Sequence, residues 1–244
     1  MKQGIFTIIE NKRLTETVFR MVLAGDTSAV TAAGQFVNVA LDGKYLRRPI
    51  SVCDLDGDRL TLVYKVVGGG TAQMAGLPAG AKLDLLTGLG NGYDTSKCGS
   101  RPVLLGGGVG VPPLYLLARR LMEEGKRPSV VLGFNTASEV FYEKEFRALG
   151  CDVAVTTVDG SRGKKGFVTD ALPADYDYFF TCGPEPMLKA VWRTARTSGQ
   201  FSFEERMGCG FGACMGCSCK TVTGYKRICR DGPVLEKEEI LWEA

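Results

Sequence analysis

The sequence predicts a β + α/β chain in three parts: an N-terminal antiparallel β-barrel, a parallel-sheet α/β domain and a small cysteine-rich C-terminal lobe. Three observations carry that prediction. Residues 1 to about 98 break into short strand-like runs separated by Gly-rich turns, the texture from Arg101 becomes strand, helix, strand, helix, and after about Gln200 five of the nine cysteines crowd between Cys209 and Cys229.

In the first part, Thr15 to Leu23 carries strong β-formers at Thr17, Val18, Phe19 and Val22. Gln35 to Leu41 and Arg59 to Val67 alternate apolar with polar, and Ala81 to Thr87 adds another strand. Short strands at this spacing suggest a small antiparallel barrel. In the second part Val103 to Leu105 is an apolar strand. The residues that follow place Leu114, Leu117, Ala118 and Leu121 at i, i+3, i+4 and i+7, one face of a helix. Ser129 to Phe134, Asp152 to Thr157 and Tyr176 to Thr181 are further strands, with helices near Ser138 to Leu149 and Glu185 to Thr197. Such alternation implies a parallel sheet covered on both faces. The units are placed at 1–98, 99–200 and 201–244, with no internal repeat.

Composition narrows the chemistry. With 45% hydrophobic and 23% charged residues the chain can bury a core, which excludes disordered and fibrous classes. Glycine is in surplus, 32 of 244 residues against an average near ~7%, and tight turns or backbone lying close to ligands have to explain it. Histidine is absent, which removes the usual general base of hydrolases and every His-bearing zinc, Rieske or haem site. Chemistry is therefore expected of bound cofactors. The balance of 30 Lys and Arg against 27 Asp and Glu has no dense basic run, so no nucleic-acid partner is expected. The most apolar stretch, Pro102 to Ala118, is broken by Gly106, Gly107, Gly108, Gly110 and Pro112-Pro113 and cannot be a spanning helix of ~20 residues. Neither a membrane span nor a signal peptide is expected, which points to the cytoplasm, and nine cysteines there imply reduced thiols or metal ligands.

Cys209-Gly-Phe-Gly-Ala-Cys214-Met-Gly-Cys217, with Cys229 following, is C-x4-C-x2-C and then a distant C. This is the plant-type [2Fe-2S] spacing. The loop must wrap an iron while avoiding its sulfides, and Gly208, Gly210, Gly212 and Gly216 supply the conformations and close approach. A structural zinc site is the alternative, although it usually shows two C-x2-C pairs and only one exists here. Cys219 is a fifth sulfur that spacing alone does not exclude.

Val103-Leu-Leu-Gly106-Gly107-Gly108-Val-Gly110-Val-Pro112 runs from strand through loop into helix, a geometry that brings backbone N–H groups to a phosphate. Val111 occupies the third glycine's place of the G-x-G-x-x-G fingerprint, and packing alone also produces such turns. Cys182-Gly183-Pro184 closes a later strand at the carboxyl edge where open α/β sheets bind ligands; a buried thiol is the plainer reading of Cys182. In the barrel part, Arg47-Arg48-Pro49-Ile50-Ser51 lies on or beside a strand, and Gly68-Gly69-Gly70-Thr71 precedes a short helix.

Arg48-Pro-Ile-Ser51, Gly106-Gly-Gly-Val-Gly-Val-Pro112, Cys182-Gly-Pro-Glu-Pro-Met187 and the Cys209 to Cys229 cluster stand in the order of the ferredoxin reductase superfamily. With Gly166-Phe-Val-Thr-Asp170 and the tail Tyr225-Lys-Arg-Ile-Cys229-Arg-Asp-Gly-Pro233, the whole chain resembles the electron transfer subunits of NAD-dependent, class 1B dihydroorotate dehydrogenases. The resemblance implies an FAD-binding barrel, an NAD-binding parallel-sheet domain and a C-terminal [2Fe-2S] lobe. It implies that Arg48 meets the flavin's pyrophosphate, that Pro49, Ile50 and Ser51 line the isoalloxazine with Ser51 near N5, and that Lys65, Val66 and Val67 run along it. Gly70 and Thr71 would take a phosphate at a helix start. Gly107 and Gly108 with Cys182, Gly183 and Pro184 would hold the nicotinamide dinucleotide, and Cys209, Cys214, Cys217 and Cys229 the cluster. Many ferredoxin reductases carry an aromatic where Ile50 stands, so ring stacking from that position is absent here.

The resemblance further implies a relay in pyrimidine biosynthesis. An FMN-containing catalytic subunit oxidises dihydroorotate, its electrons pass through the cluster to FAD and on to NAD+, and two copies of each subunit assemble. Gly133 to Glu139 offers no Arg or Lys to a 2′-phosphate, which favours NAD over NADP, while Arg162, Lys164 and Lys165 stand on a neighbouring loop. Two alternatives stay open: the FAD and [2Fe-2S] subunit of a ferredoxin:NADP or sulfur-reducing oxidoreductase, and a zinc-stabilised nucleotide-binding module.

Overall fold

A computed structural model describes residues 1–242. Its N-terminal part carries six strands, β1 (Lys2–Arg13), β2 (Val18–Ala24), β3 (Phe36–Val39), β4 (Arg48–Asp56), β5 (Arg59–Lys65) and β6 (Lys82–Leu89), with helix α1 (Gly69–Ala75) between β5 and β6. They close into an antiparallel barrel in the order β1-β2-β5-β4-β3-β6. The period-two pattern expected of a half-buried strand is clear in β6, where Leu83, Leu85, Thr87 and Leu89 are buried and the residues between them open outward. Strand β1 keeps the alternation in burial, with Phe6 and Ile8 inside, but places the apolar Ile5 and Ile9 outside. Apolar residues on both faces, and a register shift between Ile8 and Glu10, hide this strand from a periodicity argument.

The second part forms a sheet from β7 (Val103–Gly107), β8 (Ser129–Phe134), β9 (Asp152–Thr157), β10 (Lys164–Lys165), β11 (Phe179–Cys182) and β12 (Gly199–Ser202), all parallel. The helices are α2 (Pro112–Glu123), α3 (Glu143–Ala148) and α4 (Glu185–Thr194). Leu114, Leu117, Ala118 and Leu121 of α2 are all fully buried, the face the sequence predicts. Helix α3 is much shorter than the pattern over 138–149 suggests. Phe141 and Tyr142 turn into the core beside Phe134, Tyr115 and Phe146, and Tyr142 takes a left-handed φ of 65° that no helix continues through.

The C-terminal lobe consists of the cysteine loop, the hairpin β13 (Ser218–Thr221) and β14 (Gly224–Arg227), and β15 (Val234–Glu236). Strand β15 adds antiparallel to β12, so the lobe extends the sheet and β12 itself runs across residue 200. Residues leaving the barrel lock the parts together. Asn91 uses its side chain as a strand partner for Val234, donating to its carbonyl at 2.7 Å and accepting its N–H at 3.1 Å. Tyr93, buried, donates to the carbonyl of Thr181 in β11 at 3.1 Å. One apolar core joins the barrel, α2 and one sheet face, while a second joins the opposite face, α4 and the lobe. Among the described residues no helix is long and apolar enough to cross a membrane.

Leu117 of α2 has no exposed surface and belongs to the apolar core shared by sheet, helix and barrel. Leu117→Ala should destabilise the chain by about 2 to 5 kcal/mol through the lost contacts and the cavity left behind, measured as a fall in the denaturant midpoint.

Candidate functional site

The sheet order β10-β9-β8-β7-β11-β12-β15 reverses between β7 and β11. Open α/β sheets bind their ligands at such a reversal, outside the carboxyl ends of the strands. A cleft of about 580 Å³ lies there, with Gly107, Gly108, Phe134, Glu139 and Pro184 in its walls and Lys65 reaching in from the barrel. The glycines answer to two different demands. A Cβ on Gly107 would strike the Met187 sulfur and one on Gly110 the carbonyl of Cys182, so packing fixes these two. Gly108 has φ 52° with open space where a Cβ would stand, so there the conformation and the cleft require glycine.

The expected dinucleotide residues are not all brought together. Pro184 lines the cleft, but Gly183 faces a second cavity of about 340 Å³, and Cys182 is only 2% exposed. Burial, with the Glu204 carboxylate next in effect, pushes the Cys182 thiol far up, so it is a neutral packed group. Two acids that sequence reasoning missed also line the cleft. Glu204, after β12, lies in the walls of both cavities. Glu139 accepts the Asn135 N–H at 3.1 Å and its side-chain Nδ2 at 3.0 Å; its signal in the sequence is an acid shortly after the second strand of the βαβ unit. Of the three basic residues on the neighbouring loop, two have polar partners elsewhere and none lines the cleft. Arg162 pairs with Glu143 at 2.6 Å and Lys164 donates to the Asp170 carbonyl, while Lys165 is exposed with its stem beside Gly160.

On the barrel, Arg48, Pro49, Ile50 and Ser51 begin β4 and are all half-buried, in contrast to Val52 and Cys53, which are fully enclosed. Arg48 lies over Gly70, where a Cβ would collide with the guanidinium. The Thr71 hydroxyl is spent inside its own turn, accepting the Val67 N–H at 2.9 Å and donating to the Gly68 carbonyl at 3.1 Å. Lys65 ends β5 and Val66 follows it, half-buried, while Val67 is 78% exposed. A half-open strand, an arginine over a glycine turn and an exposed valine beside it fit the shallow bay that a flavin needs, and Lys65 is common to this bay and the cleft.

The cysteines form two pairs. The Cys209 sulfur accepts the Ala213 N–H at 3.2 Å and the Cys214 N–H at 3.4 Å, and Cys209 N–H points back to the Cys214 sulfur at 3.4 Å. Cys229 N–H points to the Cys217 sulfur at 3.4 Å. Among the described residues no three His, Cys, Asp or Glu side chains could together hold one metal ion. Two pairs of thiols suit a binuclear cluster, in which each iron takes two sulfurs. Partial burial opposes the Cys209 thiolate, but the N–H groups of Cys214, Phe211 and Ala213 outweigh it and bring the thiol down to about 6. Burial pushes Cys229 up to about 12. Cys219 sits on β13 opposite Lys226 and lines the smaller cavity with Trp242.

The loop is seated on the barrel by Asn38 of β3, whose Nδ2 donates to the Cys209 carbonyl at 3.1 Å. Its Oδ1 is buried without a partner among the described residues, a situation that ordinarily costs about 1 to 3 kcal/mol.

Replacing Cys209, Cys214, Cys217 or Cys229 singly by Ser should abolish iron binding on anaerobic reconstitution, whereas Cys219→Ser should keep the wild-type iron content. Full iron in any of the first four variants would remove that residue from the ligand set.

Comparison with known proteins agrees with this geometry. Residues 204–241 match the iron-sulfur cluster binding domain of dihydroorotate dehydrogenase B and residues 104–193 an oxidoreductase NAD-binding domain. The chain is 42% identical to the dihydroorotate dehydrogenase B (NAD(+)) electron transfer subunit of Shouchella clausii, over 98% of each chain. It is also 42% identical to that of Fusobacterium nucleatum, over 96% of each. Among solved structures, an NADH-dependent reduced ferredoxin-NADP oxidoreductase superposes with a TM-score of 0.89 at 31% identity, over 98% of this chain and 90% of the other. A ferredoxin NADP+ reductase from Neisseria gonorrhoeae shares the fold, with TM-score 0.69 at 16% identity over 80% and 90%. Full-length similarity at this level, together with the two domain matches, means that the chain belongs to the family of dihydroorotate dehydrogenase B electron transfer subunits.

Proposed function

We propose that this chain is the electron transfer subunit of an NAD-linked dihydroorotate dehydrogenase in pyrimidine biosynthesis. It receives electrons from the FMN of a catalytic subunit, where dihydroorotate is oxidised, and delivers them to NAD+. The observation that carries this reading is contiguity: Lys65 belongs to both the flavin bay and the dinucleotide cleft, and Asn38 joins the barrel to the cysteine loop. When bound, FAD supplies hydride exchange with the nicotinamide and single-electron exchange with the [2Fe-2S] cluster, chemistry that no side chain here provides.

The chain's own residues bind and orient. Arg48 makes a charge-assisted contact to the flavin pyrophosphate, Pro49, Ile50 and Ser51 line the isoalloxazine, and Lys65, Val66 and Val67 run along it. Gly70 and Thr71 offer backbone N–H groups to a phosphate, the Thr71 hydroxyl being engaged. Gly107, Gly108 and Pro184 contact the dinucleotide, with Cys182 and Gly183 shaping the turn beneath. Cys209, Cys214, Cys217 and Cys229 hold the cluster. The working division is 1–98, 99–200 and 201–244 for the FAD, NAD and cluster units, and the complex is cytoplasmic with two copies of each subunit. Cys214 is exposed, and Phe211 and Met215 beside it in the loop are 43% and 55% exposed, which supports this end of the lobe as the face toward the partner.

A ferredoxin:NADP oxidoreductase subunit is the second reading, favoured by the 0.89 superposition but at 31% identity against 42% for the dihydroorotate dehydrogenase relatives. The paired cysteines and the iron-sulfur domain match weigh against a zinc-stabilised module. Co-expression with an FMN-binding catalytic subunit should give a stable complex that forms NADH when dihydroorotate is added, as neither subunit does alone. Two separately eluting proteins without that activity would overturn the assignment.

Glu139 sets the nucleotide preference in this reading. Its carboxylate accepts a ribose hydroxyl and repels a 2′-phosphate, and the base that lines the cleft, Lys65, is the one assigned to the flavin bay. Glu139→Arg should shift the kcat/KM ratio of NADPH to NADH upward by at least about tenfold, equivalent to ~1.4 kcal/mol.

A further inference from the structure

Asn38 stands between two sites. It is 1% exposed, at the middle of a strand whose flanking residues, Val37 and Val39, point into the barrel with no exposed surface. Alternation along a strand turns Asn38 to the opposite face, and there the cysteine loop covers it. Its backbone faces the flavin motif: Pro49 is its cross-strand neighbour in β4. Pro49 has no N–H to offer, and the Asn38 carbonyl instead accepts from Arg47 Nη1 at 3.3 Å, a guanidinium held in turn by Asp84 at 2.9 Å.

Its side chain faces the cluster loop. Nδ2 donates to the Cys209 carbonyl, and because that carbonyl can only accept, the nitrogen must be the atom facing it. Gly210, with φ 78°, lies so close to the carboxamide that a Cβ there would strike Nδ2. A purely packing role needs no amide at this position. An apolar side chain of similar size would fill the space without leaving Oδ1 buried and unpaired.

We propose that Asn38 is a positioning residue that fixes the Cys209 ligand against the flavin-lining strand β4 and so sets how fast an electron crosses between the two sites. The inference rests on the flavin and cluster assignments above. The step it governs moves one electron from the NADH-reduced flavin to the oxidised cluster and makes or breaks no bond. Residues that orient a metal's ligands from one shell out act in this way generally.

The test uses the FAD- and iron-loaded complex with Asn38→Asp, which keeps the shape and loses the donor, and Asn38→Leu, which removes both polar atoms. Stopped-flow absorption after NADH follows flavin bleaching and cluster bleaching separately, and electron paramagnetic resonance reads the reduced cluster. The expected result is unchanged FAD and iron content and unchanged flavin bleaching, with cluster bleaching slowed by roughly tenfold or more and an altered resonance spectrum. Wild-type cluster kinetics and spectrum in both variants would overturn the proposal. A wild-type chain that never takes up iron would overturn the cluster reading itself, a separate result that the iron assay distinguishes.

Discussion

Close approach of backbone without an intervening side chain is the constraint on which the three sites depend. At the strand-order reversal, Gly110 lies against the Cys182 carbonyl. On the barrel, Gly70 lies under the Arg48 guanidinium, and at the cysteine loop Gly210 lies against the Asn38 amide. A methyl group at Gly110 would force two backbone segments apart, and one at Gly70 or Gly210 would displace the Arg48 guanidinium or the Asn38 amide. Part of the glycine surplus is thereby explained by geometry at the sites, in addition to turns.

These contacts hold because the parts share their cores. The barrel, α2 and one sheet face form a single apolar cluster, and Arg119 of α2 adds an ion pair to Asp54 of β4 at 2.8 Å. On the opposite face, Phe179 and Phe201 of the sheet pack with Leu235 and Ile240 of the lobe, in the same cluster as Cys217 and Cys229. The buried cysteine pair is therefore part of a core, whereas Cys209 and Cys214 sit toward solvent. That asymmetry gives the lobe one anchored side and one open side, as a cluster that must exchange electrons with a second protein requires.

Local signals were legible in the sequence and long-range ones were not. The C-x4-C-x2-C run, the apolar face of α2 and the Arg48-Pro-Ile-Ser51 motif are written within a few residues each, and all three lie where the pattern puts them. Strand β1 escaped because the barrel wall leaves Ile5 and Ile9 outside, which cancels the alternation of apolar with polar residues. The helix expected over 138–149 shrank because aromatic burial at Phe141 and Tyr142 overrode helical propensity. Hairpin β13–β14 and strand β15 are short and follow the cysteine loop, so their pairing is set by contacts with the sheet and the loop. Glu139 and Asn38 are ordinary surface-type residues in sequence, and only the fold turns one toward the cleft and the other under Cys209.

One chain thus connects a dinucleotide cleft, a flavin bay and a cysteine-bound cluster. The visible spectrum of the purified, anaerobic chain before and after one equivalent of NADH tests that connection. Flavin bands with a broad iron-sulfur absorption to the red are expected, both losing intensity on NADH. Flavin bands that bleach while the iron-sulfur absorption stays unchanged, or a colourless protein that takes up neither FAD nor iron on reconstitution, would contradict it.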